Sequence, residues 1–215
     1  FSLILGGNEY QPVNQWRLKS GVYTRRQANG ELESRFNLEK GYNFRIILND
    51  KGIFNLVLAN KKYRLYNLLH SLDVNDAVIQ KAWGTELYKV NFKGALNTEA
   101  KDIINIYKTL TKIDADYDTA LKGLKKYLDD TSMSGDTTKI TLGESHEKVS
   151  SASLLSTSKK LLSVTRGESD PDERDSLIFK DLYSVDDLVT AYFDKNKDSI
   201  LRGVKNRLET KTAIR

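Results

Sequence analysis

The feature that most constrains the fold is a change of hydrophobic period near residue 61. Before it, short apolar segments alternate with turn residues. The predicted strands are residues 1–5, 21–24, 32–36, 44–48 and 53–58. Asn29-Gly30 and Asn49–Gly52 are turn sequences that join strands into antiparallel hairpins. After residue 61, apolar residues recur every three or four positions, which is the helical period. The sequence therefore predicts an α+β fold, with N-terminal antiparallel β-hairpins followed by a helical region.

The helical region is predicted to contain six helices. They are residues 63–72, 73–84, 98–113, 117–128, 149–164 and 185–208. Asp73 or Asn75 is expected to cap the second helix, and Ser184 with Asp187 forms a capping box before the last. Residues 129–143 are small, polar and glycine-containing, so we interpret them as a mobile loop or an internal boundary. The expected parts are a β-rich part, 1–60, a helical part, 61–165, and a charged connector with a long C-terminal helix, 166–215.

The composition limits the class of protein. The chain has 215 residues, of which 39% are hydrophobic and 29% charged, which suits one large or two small globular domains. No apolar segment approaches the ~20 residues that cross a membrane, so we expect no membrane partner. A net charge of +5 permits contact with a polyanion but does not require it.

Residues that could carry catalysis are scarce. The chain has no cysteine, and His70 and His146 lie far apart in sequence, which argues against a zinc or iron site. It contains neither a glycine-rich phosphate loop nor a G-x-S-x-G elbow, so a free-standing hydrolase is not predicted. Asp172, Glu173 and Asp175 are candidate magnesium ligands, but Arg174 stands among them. We therefore expect no catalytic residue, metal or cofactor in this chain.

The most densely charged stretch is the connector Arg166–Leu177, RGESDPDERDSL, which lies between two predicted amphipathic helices. A charged linker is typically solvated, and its side chains would then form exposed ion pairs that contribute little. The stretch also resembles a segment in the β subunits of multisubunit DNA-directed RNA polymerases. There, D-D-x-D-x-L is followed by a basic residue and a long helix. The matching residues are Asp172, Glu173, Asp175, Leu177 and Lys180. Ile178, Phe179 and Asp181 replace the family's glycine, asparagine and second arginine, which indicates a divergent and phage-encoded branch.

Three further segments resemble the same family in the same order. Val13, Gln15, Gly21, Val22 and Tyr23 match its V-x-Q and P-G-V-[FY] elements, with Ser20 in place of the proline. Lys40-Gly41 resembles the R-G-S-W that leads into the lobe hairpin. Asn43 stands where the family has tryptophan, with Tyr42 as the neighbouring aromatic residue. Residues 45–58 and 63–72 resemble the strand-turn-strand-helix that follows. The resemblance spans nearly the whole chain, and over residues 73–143 it consists mainly of helices of suitable length.

The resemblance implies a lobe that lines the DNA channel of a polymerase. Asp175 and Lys180, with Arg174 in the same connector, would lie beside one nontemplate guanine. Tyr42 would stack on an unpaired base, next to Asn43 and Lys40. The catalytic Mg²⁺ would be held by the other large subunit, so this chain would be a non-catalytic part of a nucleotidyltransferase. The implied partners are nontemplate and downstream DNA, other polymerase subunits and an initiation factor, in the cytoplasm of a phage host.

The residues alone leave two hypotheses open. Basic side chains would contact phosphates if a subset shares one face of the β region. The candidates are Arg17, Lys19, Arg25, Arg26, Arg35 and Lys40. The alternative is a protein–protein docking module without nucleic-acid contact, in which Tyr42 packs on the sheet edge. Because the sequence begins at Phe1 rather than methionine, we expect it to be a piece of a longer polypeptide.

Overall fold

The computed structural model describes residues 2–11, 13–93, 95 and 97–212, with side chains except at positions 195 and 210–212. The strands are β1 Leu3–Leu5, β2 Asn8–Tyr10, β3 Gln15–Leu18, β4 Gly21–Arg26, β5 Leu32–Asn37, β6 Phe44–Leu48, β7 Phe54–Leu58, β8 Lys61–Arg64 and β9 Lys180–Tyr183. The helices are α1 Leu65–Ser71, α2 Asp76–Trp83, α3 Thr85–Phe92, α4 Glu99–Thr111, α5 Tyr117–Asp129, α6 Gly135–Leu142, α7 Ser151–Thr165 and α8 Val185–Thr212. The α+β fold predicted from the sequence is confirmed.

The chain forms two compact units that do not follow the predicted three-part division. A central unit comprises Lys19–Ser176, and a terminal unit combines Phe1–Leu18 with Leu177–Arg215. In the terminal unit, β1 and β2 form a hairpin, and β3 pairs with β9 in antiparallel fashion. The sequence did not reveal the β3–β9 pairing, because its two short strands lie more than 160 positions apart and neither has a strong alternating pattern.

The central unit is built on an antiparallel sheet in the order β4-β5-β6-β7-β8. Because strand side chains alternate between faces, each strand gives every second residue to the hydrophobic core. The residues of this core face include Val22, Leu32, Phe36, Ile46, Leu48, Phe54, Leu56 and Leu58. Helices α1 and α7 contact strands of the sheet, and Leu65, Leu69, Leu154 and Leu161 join the same core. The opposite face, here called the outer face, carries the candidate site.

Local signals explain most helix boundaries. Asn75 is the N-cap of α2 and accepts a hydrogen bond from the Ala77 N–H, and Gly84 ends that helix, as predicted. Ser184 and Asp187 form the predicted reciprocal cap before α8, with the Ser184 N–H donating to the Asp187 carboxylate at 2.9 Å. The predicted strand 1–5 begins at Leu3 among the described residues, and Phe1 lies outside them. The first helix begins at Leu65 rather than at residue 63, because Tyr63 belongs to β8.

The prediction of a loop over residues 129–143 was wrong in one respect, because the segment contains α6. Ser134 caps this helix by accepting a hydrogen bond from the Thr137 N–H. Thr137, Thr138 and Thr141 are buried, and the hydroxyl groups of the last two donate to carbonyl oxygens one turn earlier. Threonine has modest helix propensity, so the composition favoured a loop. Tertiary burial outweighs that preference here, and the two compact units do not divide at this segment.

Asn91 on α3 fixes the hairpin between β6 and β7. Its side chain is fully buried, and its Oδ1 accepts the Phe54 N–H at 2.9 Å. Its Nδ2 donates to the carbonyl oxygens of Gly52 and Leu87 at 2.8 Å.

Asn91→Ala should lower the free energy of unfolding by about 2–3 kcal/mol, because it leaves buried backbone groups without partners. Urea denaturation followed by circular dichroism measures this change. Asn105→Ala on α4 is the control, with a change of about 0.5 kcal/mol or less; equal stability of the two variants would contradict the assignment.

Candidate nucleic-acid interface

The outer face of the sheet is unusually basic for a strand surface. The strand register gives two cross-strand rows of side chains on this face. The first row is Arg25, Glu33, Ile47, Asn55 and Arg64. The second row is Tyr23, Arg35, Arg45, Val57 and Lys62. Three arginines and one carboxylate therefore meet on neighbouring strands. We call Arg25, Arg35 and Arg45 the arginine face.

The buried carboxylate of Glu33 contacts all three side chains of the arginine face. Its side chain is 0% exposed, whereas those of Arg25, Arg35 and Arg45 are 41%, 39% and 34% exposed. Arg25 Nε donates to Glu33 Oε1, and Arg45 Nη1 donates to Oε2 at 3.3 Å. Arg35 Nη2 lies 3.6 Å from Oε1. Gln27 Nε2 also donates to Oε2, at 2.8 Å. The carboxylate is thus surrounded by donors, and the guanidinium groups lie between it and solvent.

The local electrostatics are dominated by positive charge. Burial lowers the pKa of Arg35 from its usual value. The Glu33 carboxylate acts in the opposite direction, while the charges of Arg25, Arg174 and Arg45 lower the pKa further. Arg174 of the connector is therefore near enough to add to the field of the arginine face. Like charges this close repel one another, so the face is suited to accept an anion.

A groove adjoins the arginine face and contains the aromatic residue predicted for base stacking. This groove, here called the tyrosine groove, has a volume of about 320 Å³. Its lining residues are Arg35, Tyr42, Asn43, Phe44, Arg45, Val57, Ala59 and Asn60. The Tyr42 side chain is exposed, at 43% of its surface. A ring that can stack on a base and two guanidinium groups that can bind phosphate therefore line one groove.

The loop that carries Tyr42 is anchored to the helical part of the central unit. The Tyr42 N–H donates to the Tyr127 hydroxyl at 2.8 Å, and the Ser132 N–H donates to the Lys40 carbonyl oxygen at 3.0 Å. Gly41 has a φ of +122°, and a Cβ at this position would lie 3.0 Å from side-chain atoms of Leu38 and Thr131. Only glycine tolerates this conformation and close approach without strain. The anchored loop presents Tyr42 at a defined place on the groove wall.

The two other residues predicted in this loop have structural partners. The Asn43 Oδ1 accepts the Leu38 N–H at 2.8 Å, so this atom holds the loop together while Asn43 lines the groove. Lys40 Nζ lies 2.6 Å from Asp130 Oδ1, and both side chains are exposed. Lys40 is not among the groove-lining residues. An exposed ion pair of this kind is weak, so another anion can compete with Asp130 for the lysine.

The charged connector runs along the free edge of β4. The Asp172 N–H donates to the Thr24 carbonyl oxygen at 2.7 Å, and the Thr24 N–H donates to the Asp172 carboxylate at 2.6 Å. Asp172 therefore pairs with the edge strand β4 at the buried residue Thr24, and Lys160 Nζ lies 3.9 Å from its carboxylate. The alternative interpretation, in which Asp172 forms only exposed ion pairs, is wrong for this residue, because its side chain is just 8% exposed. This pairing fixes the path of Arg174 near Arg35.

Asp175 and Lys180, the predicted pair for a nontemplate guanine, fall in different compact units. Asp175 is exposed in the connector and belongs to the central unit. Lys180 is the first residue of β9, opposite Leu18, and belongs to the terminal unit. Their joint role in base recognition stays a prediction.

Glu33 and Arg45 were missing from the residues singled out in the sequence. The sequence signal for such residues is an alternating pattern in residues 32–36. Glu33 and Arg35 alternate there with the apolar or small residues Leu32, Ser34 and Phe36. Such alternation places charged side chains on the face away from the core. The register between β5 and β6, which brings Arg45 opposite Arg35, depends on the loop of residues 38–43 and could not be derived from the alternation alone.

Comparisons with known proteins do not assign the chain to a family. No protein-family model matches the sequence, and no curated protein matches it significantly. Within the described ranges, no helix is long and apolar enough to cross a membrane. Among the same residues, no cluster of three or more histidine, aspartate or glutamate side chains is arranged to hold a metal ion.

The buried carboxylate of Asp172 generates a prediction about pH. Burial raises the pKa of Asp172 above its usual value, against the opposing effects of the Thr24 N–H and Lys160. A raised folded-state pKa favours folding when the carboxyl is protonated, and this contribution is lost as pH rises through the folded pKa. The Tm of the wild type minus that of Asp172→Asn should therefore increase when the pH falls from 7 to 4.

Thermal unfolding at several pH values measures this difference, and each kcal/mol corresponds to about 2–4 °C in a domain of this size. Asp170→Asn, which removes an exposed carboxylate from the same connector, is the matched control. If the Tm of the wild type minus that of Asp172→Asn decreases on acidification, relative to the same difference for Asp170→Asn, the raised pKa of Asp172 is contradicted.

Proposed function

We propose that this chain is the lobe-type part of a divergent, phage-encoded β subunit of a multisubunit DNA-directed RNA polymerase. In this role it lines the DNA channel and contacts downstream and nontemplate DNA without performing bond chemistry itself. The observation that carries the proposal is the shared placement of Arg35, Arg45 and Tyr42 in one groove. The ordered series of sequence resemblances provides independent support.

The groove suits an opened DNA strand because it combines two kinds of contact. Guanidinium groups bind phosphate oxygens without reading sequence, and this interaction provides most of the affinity of general DNA binding. An exposed aromatic ring stacks on an unpaired base, which a closed duplex does not offer. Arg35 and Arg45 would supply the first contact and Tyr42 the second. A forked DNA, with a duplex and a single-stranded arm, presents both features together.

The connector extends this proposed surface. Arg174 adds positive charge next to Arg35, and Asp175 follows it directly in the chain. The Asp175 carboxylate would accept hydrogen bonds from the amino and imino groups of a guanine. Lys180, in the terminal unit, would make a DNA contact of its own. Because lysine lacks the planar fork of arginine, this contact would be less base-selective than one made by an arginine at this position.

The terminal unit favours a second candidate function, a docking module for another protein without nucleic-acid contact. Its long helix α8 exposes a set of large apolar side chains at helical spacing. They are Val189, Tyr192, Phe193, Leu201, Val204 and Leu208. Trp16 and Leu182, which are cross-strand partners of β3 and β9, are also exposed. Exposed apolar side chains grouped on one element are a feature of protein–protein interaction sites. Polymerase subunits or an initiation factor are its candidate partners under the first proposal.

The two candidates differ in their response to removal of the arginine face. Fluorescence anisotropy with labelled forked DNA should detect salt-sensitive binding by the wild type. Arg35→Gln/Arg45→Gln should bind about tenfold more weakly, which corresponds to about 1.4 kcal/mol. For this variant, the slope of log K against log salt concentration should become shallower by about 0.9 for each phosphate that is no longer neutralised.

Lys101→Gln/Lys122→Gln is the matched control, because it removes the same charge from exposed positions on α4 and α5. Its affinity should stay within about twofold of the wild type if the contact is local rather than a net-charge effect. Equal weakening of both double variants would contradict the proposed interface. Absence of any binding by the wild type would favour the docking module.

A further inference from the structure

In the described part of the chain, the ion pairs of the arginine face involve more positive than negative charges. Arg35 and Arg45 are directly opposite each other in the β5–β6 register, and like charges in that arrangement destabilise a sheet. Arg25 contacts the same carboxylate, and Arg174 acts on Arg35. Glu33 is the carboxylate shared by the three strand arginines. The single negative charge of Glu33 is therefore shared by at least three guanidinium groups.

The hydrogen-bonding capacity of these side chains is also incompletely used. Each guanidinium has five N–H donors, and Glu33 engages Nε of Arg25 and Nη1 of Arg45. Arg174 Nε is buried and has no acceptor among the described residues. Leaving such a donor unsatisfied is costly. The arginine face therefore has both excess positive charge and N–H donors that no protein acceptor engages among the described residues. The side chains of its three arginines are about one-third exposed or more.

We propose that the arginine face, with Arg174, is a receptor for one phosphate group, and that Glu33 is its positioning residue. The phosphate supplies the second anion that the cluster needs. This receptor rests on the proposed function only for the source of the phosphate, which is the backbone of a nucleic acid. Binding is non-covalent, so no group is transferred and no co-reactant is required.

Glu33 acts by fixing the direction of the guanidinium groups. Its carboxylate accepts hydrogen bonds from Arg25 Nε and Arg45 Nη1 and lies 3.6 Å from Arg35 Nη2. Gln27 occupies a further acceptor position of the same carboxylate. The remaining N–H groups are available to the oxygens of a tetrahedral anion. Arginine binds phosphate best when two parallel N–H groups are presented together, so pre-orientation should raise affinity. The negative charge of Glu33 by itself would repel a bound phosphate and weaken binding. The orienting effect and the charge effect of Glu33 therefore act in opposite directions, so experiments can distinguish them.

The test follows arginine Nε–H signals by NMR while inorganic phosphate is added to the full chain. The signals of Arg25, Arg35, Arg45 and Arg174 should shift along one saturable curve. Sodium chloride at matched ionic strength should not reproduce these shifts. Absence of saturation with phosphate would overturn the receptor.

Variants separate orientation from charge. Glu33→Gln raises the net charge by one, yet should weaken phosphate binding about fivefold or more because the forks lose their common anchor. Glu31→Gln, at a partly exposed position two residues earlier, makes the same charge change and should bind phosphate equally well or more tightly. If Glu33→Gln binds as tightly as Glu31→Gln, Glu33 is not a positioning residue.

A second variant keeps the test decisive if Glu33→Gln does not fold. Arg45→Lys retains the charge at a side chain that is one-third exposed, but it removes the fork. It should also weaken phosphate binding about fivefold. Unchanged affinity in Arg45→Lys would contradict a receptor that depends on guanidinium geometry.

A thymidine dodecanucleotide distinguishes failure of the receptor from failure of the proposed function. If the backbone of nucleic acid is the source of the phosphate, the oligonucleotide should compete with inorganic phosphate for the same arginine signals. Saturable phosphate binding without oligonucleotide binding would retain the receptor and reject the DNA role. Oligonucleotide binding that leaves these signals unchanged would reject the receptor as the DNA contact.

Discussion

Glu33 is a fully buried carboxylate whose charge lies beneath three guanidinium groups on the outer face of the central sheet. Burying a charge is expensive unless it is paired and hydrogen-bonded, so Arg25, Arg45 and Gln27 are needed to stabilise this position. The same contacts hold the arginines in a fixed array. The basic surface is therefore a consequence of how the sheet accommodates one internal charge, and the proposed anion contacts depend on that arrangement.

The sheet also links the helical part of the central unit to the candidate groove. One sheet face packs against α1 and α7, while the other presents the arginines. The loop that bears Tyr42 is anchored by the Tyr127 hydroxyl on α5 and by the backbone of Ser132. Because the groove wall is anchored to the helices, its shape depends on packing far from the arginines in sequence. The helices thus position the groove, although the groove residues lie on strands and turns.

Local patterns in the sequence were sufficient for much of the fold. The hairpin turns, the change from strand to helix and the caps at Asn75 and Ser184 depend on neighbouring residues, and the structure confirms them. Contacts between residues distant in sequence could not be predicted from these local patterns. The β3–β9 pairing, the Asp172–Thr24 contact and the burial of the threonines in α6 each depend on a partner distant in sequence. Tyr42 was predicted, but Arg45 and Glu33 required the strand register.

We propose above all that Tyr42 and the arginine face receive a DNA strand that has left the duplex. Photo-crosslinking with forked DNA that carries 5-iododeoxyuridine in its single-stranded arm, followed by mass spectrometry, tests this claim most directly. We predict a crosslink at Tyr42 that requires the unpaired arm and disappears in Arg35→Gln/Arg45→Gln. Crosslinks confined to the exposed surfaces of α4 and α5, or crosslinks unaffected by removal of the two arginines, would contradict it.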